Sequence, residues 1–343
     1  MFDLNKIVRT NVRKLVPYSS ARDDFHGKAE VFLDANENPF GNLNRYPDPY
    51  QRELKSVISK VKGIPVDNIF LGNGSDEIID LCFRIFCNPG RDKALTFSPT
   101  YGMYEVSASV NDVQIIKIPL NRRFNINFND VKPWLSDERL KLVIICSPNN
   151  PTGNCMERSV VERIIGSFSG IVLLDEAYID FAGMPSMKDT IIRYPNLIVM
   201  QTFSKAFGMA SVRVGIAFTN TGIVSYFNKM KPPYNISTIN QKAVLRKLAK
   251  TEEYDLQVRK IREERDRLSS ELAKLPLTYE VFPSDANFLL IRVKDAGFIY
   301  NYLVKRGIII RNRSSVVKNC LRITVGTKAE NTRLLQTLKR IVI

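Results

Sequence analysis

Short, nearly continuous runs of Val, Ile, Leu, Met and Phe recur along the first two thirds of the chain, at 69–71, 94–97, 113–118, 142–146, 171–174, 197–200 and 214–218. Most lead into a stretch rich in Gly, Pro, Asn, Ser and Asp. Segments with helical spacing follow: one that the turn at 72–76 leads into and that runs through Phe86, and others at 102–110 and 157–168. A run with no polar alternation suits a strand buried on both faces. Such strands alternating with helices predict an α/β fold with a mainly parallel sheet between helix layers. Upstream, 31–33 reads as a short strand and 50–61 as a helix that Gly63-Ile-Pro65 ends. Asp34-Ala-Asn-Glu-Asn-Pro-Phe-Gly41 and Asn44-Arg-Tyr-Pro-Asp48 are turn-former clusters.

The pattern changes after about residue 220. Lys231-Pro-Pro-Tyr-Asn235 breaks the chain, and 237–275 is long and helical, interrupted only near Lys250-Thr251. Strands are predicted at 278–282, 286–293, 308–311 and 320–325, with helices at 296–306 and 328–341. This reads as a smaller α+β domain. The expected division is an arm over 1–40 that joins the small domain, a large domain over 41–225 and the small C-terminal domain over 226–343.

Composition narrows the chemistry. The net charge of +15 admits anionic partners, but basic residues alternate with acids, as in Arg259-Lys260 and Arg265-Asp266-Arg267, a solvated-face pattern rather than a nucleic-acid patch. No apolar run approaches the ~20 residues of a membrane span. The polar N-terminus lacks a signal-peptide core. The five cysteines are scattered, with no Cys-x-x-Cys pair, which predicts reduced thiols in a cytoplasmic protein and no metal site. The one histidine, His26, lies in a polar stretch, so a Ser-His-Asp triad or a His-ligated metal is not expected. Lysine, tyrosine and carboxylates must do any proton work.

In a mainly parallel sheet, ligands sit at the carboxyl ends of the strands. Gly72-Asn-Gly-Ser-Asp76, at a helix start, offers free N–H groups to an anion. Tyr101 can stack on a flat ring. Asp175 can keep an aromatic nitrogen protonated, and Tyr178 can hydrogen-bond a phenolate oxygen. Lys205, after an apolar run, is an amine suited to a carbonyl, and Arg213 can grip a phosphate in a bidentate fork. Each has an ordinary structural role too: a helix cap, core packing, a surface ion pair, a solvated loop lysine. Together they meet the requirements of pyridoxal 5′-phosphate (PLP).

These segments, in the order Gly-Asn-Gly-Ser-Asp-Glu, Ser-Pro-Thr-Tyr-Gly-Met-Tyr, Ser-Pro-Asn-Asn-Pro-Thr-Gly, Asp-Glu-Ala-Tyr, Ser-Lys-Ala-Phe-Gly and Arg-Val-Gly, closely resemble the fold-type I PLP-dependent aminotransferases. Asp34-Ala-Asn-Glu-Asn-Pro, Asn44-Arg-Tyr-Pro-Asp, Lys231-Pro-Pro-Tyr-Asn and Leu321-Arg-Ile-Thr-Val-Gly326 are similar to the branch of that family acting on histidinol phosphate. The resemblance runs from Val12 to the last helix. It implies that Lys205 holds the cofactor and moves the proton, Asp175 pairs with the ring nitrogen, Asn150 and Tyr178 contact O3′, and Tyr101 stacks. It places Gly74, Ser75, Asp76, Ser204 and Arg213 around the cofactor phosphate. Tyr46 would reach the phosphate of the other subunit, which implies a homodimer with shared sites. Arg322 would hold the substrate's anionic group, helped by Arg311, Tyr18 and Asn36. The implied reaction moves an amino group between L-histidinol phosphate and 2-oxoglutarate, in histidine biosynthesis. Three alternatives stay open: an aromatic aminotransferase, a relative of threonine-phosphate decarboxylase, and a basic nucleic-acid-binding protein on the same fold. Neither nucleic acid nor a membrane is an expected partner of the favoured reading.

Overall fold

The computed structural model describes residues 2–18 and 30–341; His26 lies outside them. Seven strands form one sheet: β1 (Ile69–Asn73), β2 (Lys93–Ser98), β3 (Gln114–Pro119), β4 (Leu140–Cys146), β5 (Ile171–Asp175), β6 (Leu197–Thr202) and β7 (Val214–Phe218). Their order is β1-β7-β6-β5-β4-β2-β3, and β7 alone runs against its neighbours. The mainly parallel sheet expected from the apolar runs is therefore present.

The runs are apolar throughout because successive side chains point to opposite faces and both faces are covered. Val143, Ile145, Val172 and Leu174 enter one core with Leu54, Ile58, Val161, Ile164 and Ile165. Leu142, Ile144, Ile171 and Leu173 enter the other with Ile79, Phe83, Phe86 and Phe227. Each such side chain fully buried contributes ~1.5–3 kcal/mol. The helix Gly74–Phe86 lies against the second face and starts where β1 ends. Its start is pinned tightly to β7. A Cβ on Gly215 would stand 2.5 Å from the Ser75 nitrogen, so only glycine permits the approach.

The second body holds a four-stranded antiparallel sheet of β8 (Thr278–Val281), β9 (Phe288–Val293), β10 (Arg311–Asn312) and β11 (Cys320–Thr324), in the order β10-β11-β9-β8. Leu268, Leu272, Leu289, Ile291, Leu321, Ile323 and Leu334 form its core. The final helix, Lys328–Lys339, opens with a reciprocal cap between Thr327 and Glu330. Tyr178, Phe181, Ala206, Val258 and Phe288 form a small cluster that joins the two bodies beside the site.

Several expectations need correction. No strand forms at 31–33; Val31 and Leu33 are 74% and 91% exposed and have no partner edge. The strand expected at 308–311 shrinks to Arg311–Asn312, since Ile308 and Ile310 pack on the small core but their backbone meets no neighbouring strand. The N-terminal arm was expected to join the small domain. Its described part instead folds into helices Leu4–Ile7 and Thr10–Lys14 and packs on the large sheet's helix layer. Val8, just past the first helix, and Val12 of the second are both buried in the large core, and Arg9 donates to the carbonyl of Arg84 at 2.8 Å. The boundary expected at 225/226 falls inside the helix Thr221–Met230, whose Ile223, Val224 and Phe227 belong to the large core. Val244 and Leu248 of the next helix, Thr238–Leu248, are also in the large core.

Candidate active site

Loops after β1, β2, β4, β5 and β6 meet around one cleft of about 220 Å³ at the carboxyl edge of the sheet. Ser75, Asp76, Tyr101, Asn150, Asp175, Tyr178, Ser204, Lys205, Arg213 and Arg322 all line it. The spacing explains the convergence: each loop begins where its apolar run ends, and the strands lie side by side. The cleft therefore crosses five connections, four from the adjacent strands β6, β5, β4 and β2 and one from β1 beyond β7.

At one end, the helix Gly74–Phe86 presents its first N–H groups. Gly74 has φ +76°, and a Cβ there would lie 2.5 Å from Nη2 of Arg213. Arg213 itself holds a left-handed backbone (φ 54°), a strained state for a non-glycine residue. Its Nη2 donates to Oδ2 of Asp76 at 3.2 Å, which Tyr101 also approaches through Oδ1 at 3.4 Å. The Asp76 side chain is thus occupied, leaving helix N–H groups and the guanidinium as the anion-facing groups. Free N–H groups at a helix start beside a guanidinium are an arrangement that can hold a small dianion.

At the other end lies Asp175, buried at the tip of β5. Its Oδ1 accepts from the Ala177 N–H at 3.0 Å and its Oδ2 from the Tyr104 hydroxyl at 2.6 Å. Burial raises its carboxyl to about 6, against the lowering influence first of the Tyr104 hydrogen bond and then of the Ala177 N–H and the Lys205 charge. Lys205 opens to solvent through the cleft mouth but has protein on its other sides. That desolvation, followed by the positive Arg322, holds its amine below the ordinary lysine range. Its Nζ stands 5.6 Å from the Tyr178 ring centre. Burial raises the Tyr178 hydroxyl, and raises Tyr101 to about 12, so both are neutral donors at pH 7.

Asn150 is held by its neighbour. Asn149 donates to the Pro99 carbonyl at 2.9 Å and to Thr152 at 2.8 Å, and accepts from Thr100 at 2.7 Å. Asn150 then accepts from Nη1 of Arg322 at 2.6 Å. Arg322 lies on β11, so the small sheet closes the cleft through this bond. Phe288 of β9 supports it, edge-on to Tyr178 at 5.1 Å and 5.4 Å from the guanidinium.

Five expected residues do not line this cleft: Gly74, which stands just behind it against Arg213, and four that lie elsewhere. Tyr46 is 52% exposed and stacks on Tyr234 at 4.4 Å, in a separate hollow that Asn36 also lines. Tyr18 is 72% exposed. Arg311 pairs in register with Arg322 across β10 and β11, yet it lines a neighbouring hollow of about 570 Å³. Sequence reasoning missed Cys146, Thr202 and Ala210, which line the cleft, and Tyr104, which reaches Asp175 from behind. The Ser-Pro-Thr-Tyr-Gly-Met-Tyr stretch held the signal for Tyr104: a second tyrosine three residues after Tyr101, on the start of a helix. Among the described residues no cluster of three or more metal-ligating side chains occurs, and no helix is long and apolar enough to cross a membrane.

The same chemistry is met in known proteins. A model of the family "Aminotransferase class I and II" matches residues 19–338. A histidinol-phosphate aminotransferase from Cytophaga hutchinsonii is 50% identical over 98% of this chain and 99% of its own length. One from Bacteroides fragilis is 51% identical over 99% of each. Among solved structures, the histidinol-phosphate aminotransferase from Clostridium acetobutylicum superposes with a TM-score of 0.80 at 29% identity, covering 87% of this chain and 90% of its own. The one from Sinorhizobium meliloti, in complex with pyridoxal-5'-phosphate, gives 0.79 at 25% identity and 89% coverage of both chains.

Proposed function

The chain belongs to the class I and II aminotransferase family, and on that footing we propose that it transfers the amino group between L-histidinol phosphate and 2-oxoglutarate, with PLP as cofactor. The relatives at about half identity over nearly full length carry the substrate assignment. The observation that carries the chemistry is the placing of Lys205 and Asp175 in one cleft whose far end is an anion cradle.

The residues fit the cofactor. Gly74 leaves room beside Arg213, where a side chain would close the cradle. Bound PLP supplies a pyridinium electron sink that stabilises negative charge on the amine-bearing carbon of the substrate. In this reading the N–H groups of Gly74, Ser75 and Asp76, with Ser204 and Arg213, hold the phosphate. Asp175 keeps the proton on the ring nitrogen, and it can do so because the ring's positive charge restores the carboxylate that burial disfavours. Asn150 and Tyr178 donate to O3′, and Tyr101 covers the ring. Lys205 takes the proton from the substrate carbon and delivers it to cofactor C4′; its lowered basicity suits that work near neutral pH. Arg322 binds the phosphate of histidinol phosphate and, in the other half-reaction, a carboxylate of glutamate, since its fork suits either anion.

Tyr18, Asn36 and Arg311 complete the substrate pocket, and Tyr46 reaches the cofactor phosphate of a second copy. The exposure of Tyr18, Asn36 and Tyr46 away from their own cleft supports a homodimer with shared sites. Five unpaired cysteines, four of them buried, support a reducing, cytoplasmic setting.

A product assay tests the reading. The purified protein with L-glutamate and imidazole-acetol phosphate should form 2-oxoglutarate and L-histidinol phosphate in equal amounts. Carbon dioxide release from threonine phosphate, with no 2-oxoglutarate formed, would replace this reading with the decarboxylase. Turnover of aromatic amino acids but not histidinol phosphate would leave the aromatic aminotransferase.

A further inference from the structure

Asp175 does not meet the cleft unaided. Tyr104 sits on the helix Met103–Val110, is fully buried, and lines no part of the cleft. Its ring packs edge-on to Tyr101 at 5.5 Å. Its hydroxyl ends 2.6 Å from Oδ2 of Asp175, at the short limit for an O–H donor on a carboxylate. The Ala177 N–H occupies the other oxygen. These two donors fix the carboxylate plane and leave its remaining lone pairs for the cleft.

We propose that Tyr104 is a positioning residue: it holds Asp175 ionised and aimed, and through Asp175 it keeps the cofactor's ring nitrogen protonated. This rests on the PLP reading above and deepens it. The geometry assigns the direction. A tyrosine buried beside a carboxylate is itself held far from ionisation, so toward Asp175 the Tyr104 hydroxyl is the donor. Its hydrogen bond is the largest influence opposing the burial that favours protonated Asp175. The other titratable groups around Asp175 are Cys146, Lys205, Asp76, Tyr101 and Tyr178. Cys146 and the two tyrosines are kept neutral by burial, and Lys205 and Asp76 oppose each other in sign. None of them replaces the Tyr104 hydroxyl, which touches the carboxylate directly. With the hydroxyl gone, Asp175 protonates more readily and the ring nitrogen loses its counter-charge.

The test is a double-mutant cycle of Y104F and D175N on the PLP-loaded protein. It is read by the ¹⁵N chemical shift of cofactor labelled at the ring nitrogen, and by kcat and KM. Y104F removes one oxygen and leaves the ring packing. Its ¹⁵N signal should move toward the unprotonated value. Its kcat should fall about ten- to a hundredfold, the range spanned by a hydrogen bond to a charged group, with KM for histidinol phosphate little changed. In the D175N background Y104F should move neither signal further, because its effect passes through Asp175. An unchanged ¹⁵N signal in Y104F, or losses that multiply in the double variant, would overturn the proposal. A wild-type protein that takes up no PLP would instead remove the reading on which it rests.

Discussion

Lys205, Asp175, Asn150 and Tyr178 reach one cleft from neighbouring loops of the seven-stranded sheet, whereas Tyr18, Asn36 and Tyr46 lie on the segment ahead of that sheet and reach none of it. The first set is placed by strands buried on both faces, so its positions follow from core packing within one chain. The second set has little core behind it: Tyr46 leans on Tyr234, and Glu37 ties Arg45 and the Tyr46 N–H. The difference separates two kinds of site residue. One kind is fixed by the fold of the chain that carries it. The other is displayed outward, and in the proposed homodimer it would act where a second copy meets it.

The sharpest break between the two sets is predicted at Lys205. K205A should fold and bind PLP but lose about 10⁴-fold in turnover, the upper range for a positioned proton-transfer group; stopped assays at high enzyme concentration measure the residue. Asp175→Ala should cost about 10²–10³-fold in kcat, since it removes the buried charge facing the ring nitrogen, and steady-state rates check it. For the outward set, mixing K205A with Tyr46→Ala should restore activity above the average of the two parents. Hybrid dimers would then pair an intact Lys205 on one chain with an intact Tyr46 on the other. Activity no higher than that average would place Tyr46 in its own chain's site and erase the comparison.

The smallest effect concerns a lysine outside the cleft. Lys55 is buried on the helix Arg52–Lys62, and burial, followed by the Lys231 charge, lowers its amine to about 8. The folded state thus sheds a proton near pH 8 that the unfolded chain keeps to about 10.4. Between those values the unfolded state binds more protons, so stability from this group rises with pH across that window. Lys55→Met should raise the free energy of unfolding at pH 7 by about 1–3 kcal/mol, seen as a higher urea midpoint, and flatten the rise above pH 8. Urea melts at pH 7 and 9.5 measure it.

The same contrast explains what was legible in the sequence. The strands could be read because Val143 to Ile145 and Val172 to Leu174 are apolar on both faces, and their loops could be placed because a parallel sheet lines up its carboxyl ends. For Tyr104 the sequence held only its spacing from Tyr101, since a tyrosine within a helix reads as core, and only three dimensions show that its hydroxyl meets Asp175. Val31-Phe32-Leu33 is an apolar run like a short strand, but such a run does not reveal whether a neighbour exists to pair with. The arm attaches through Phe2, Leu4, Ile7, Val8 and Val12, spread over two short helices whose break hides any single period. Arg322 was placed by its motif, while the bond to Asn150 that closes the two bodies together could not be read from either segment.

The most direct test is the absorption spectrum of the purified protein during titration with L-histidinol phosphate. A yellow band from PLP held at Lys205 is expected, bleached by low concentrations of histidinol phosphate and restored by 2-oxoglutarate. A yellow band indifferent to histidinol phosphate, or a colourless protein that PLP does not reconstitute, would contradict it.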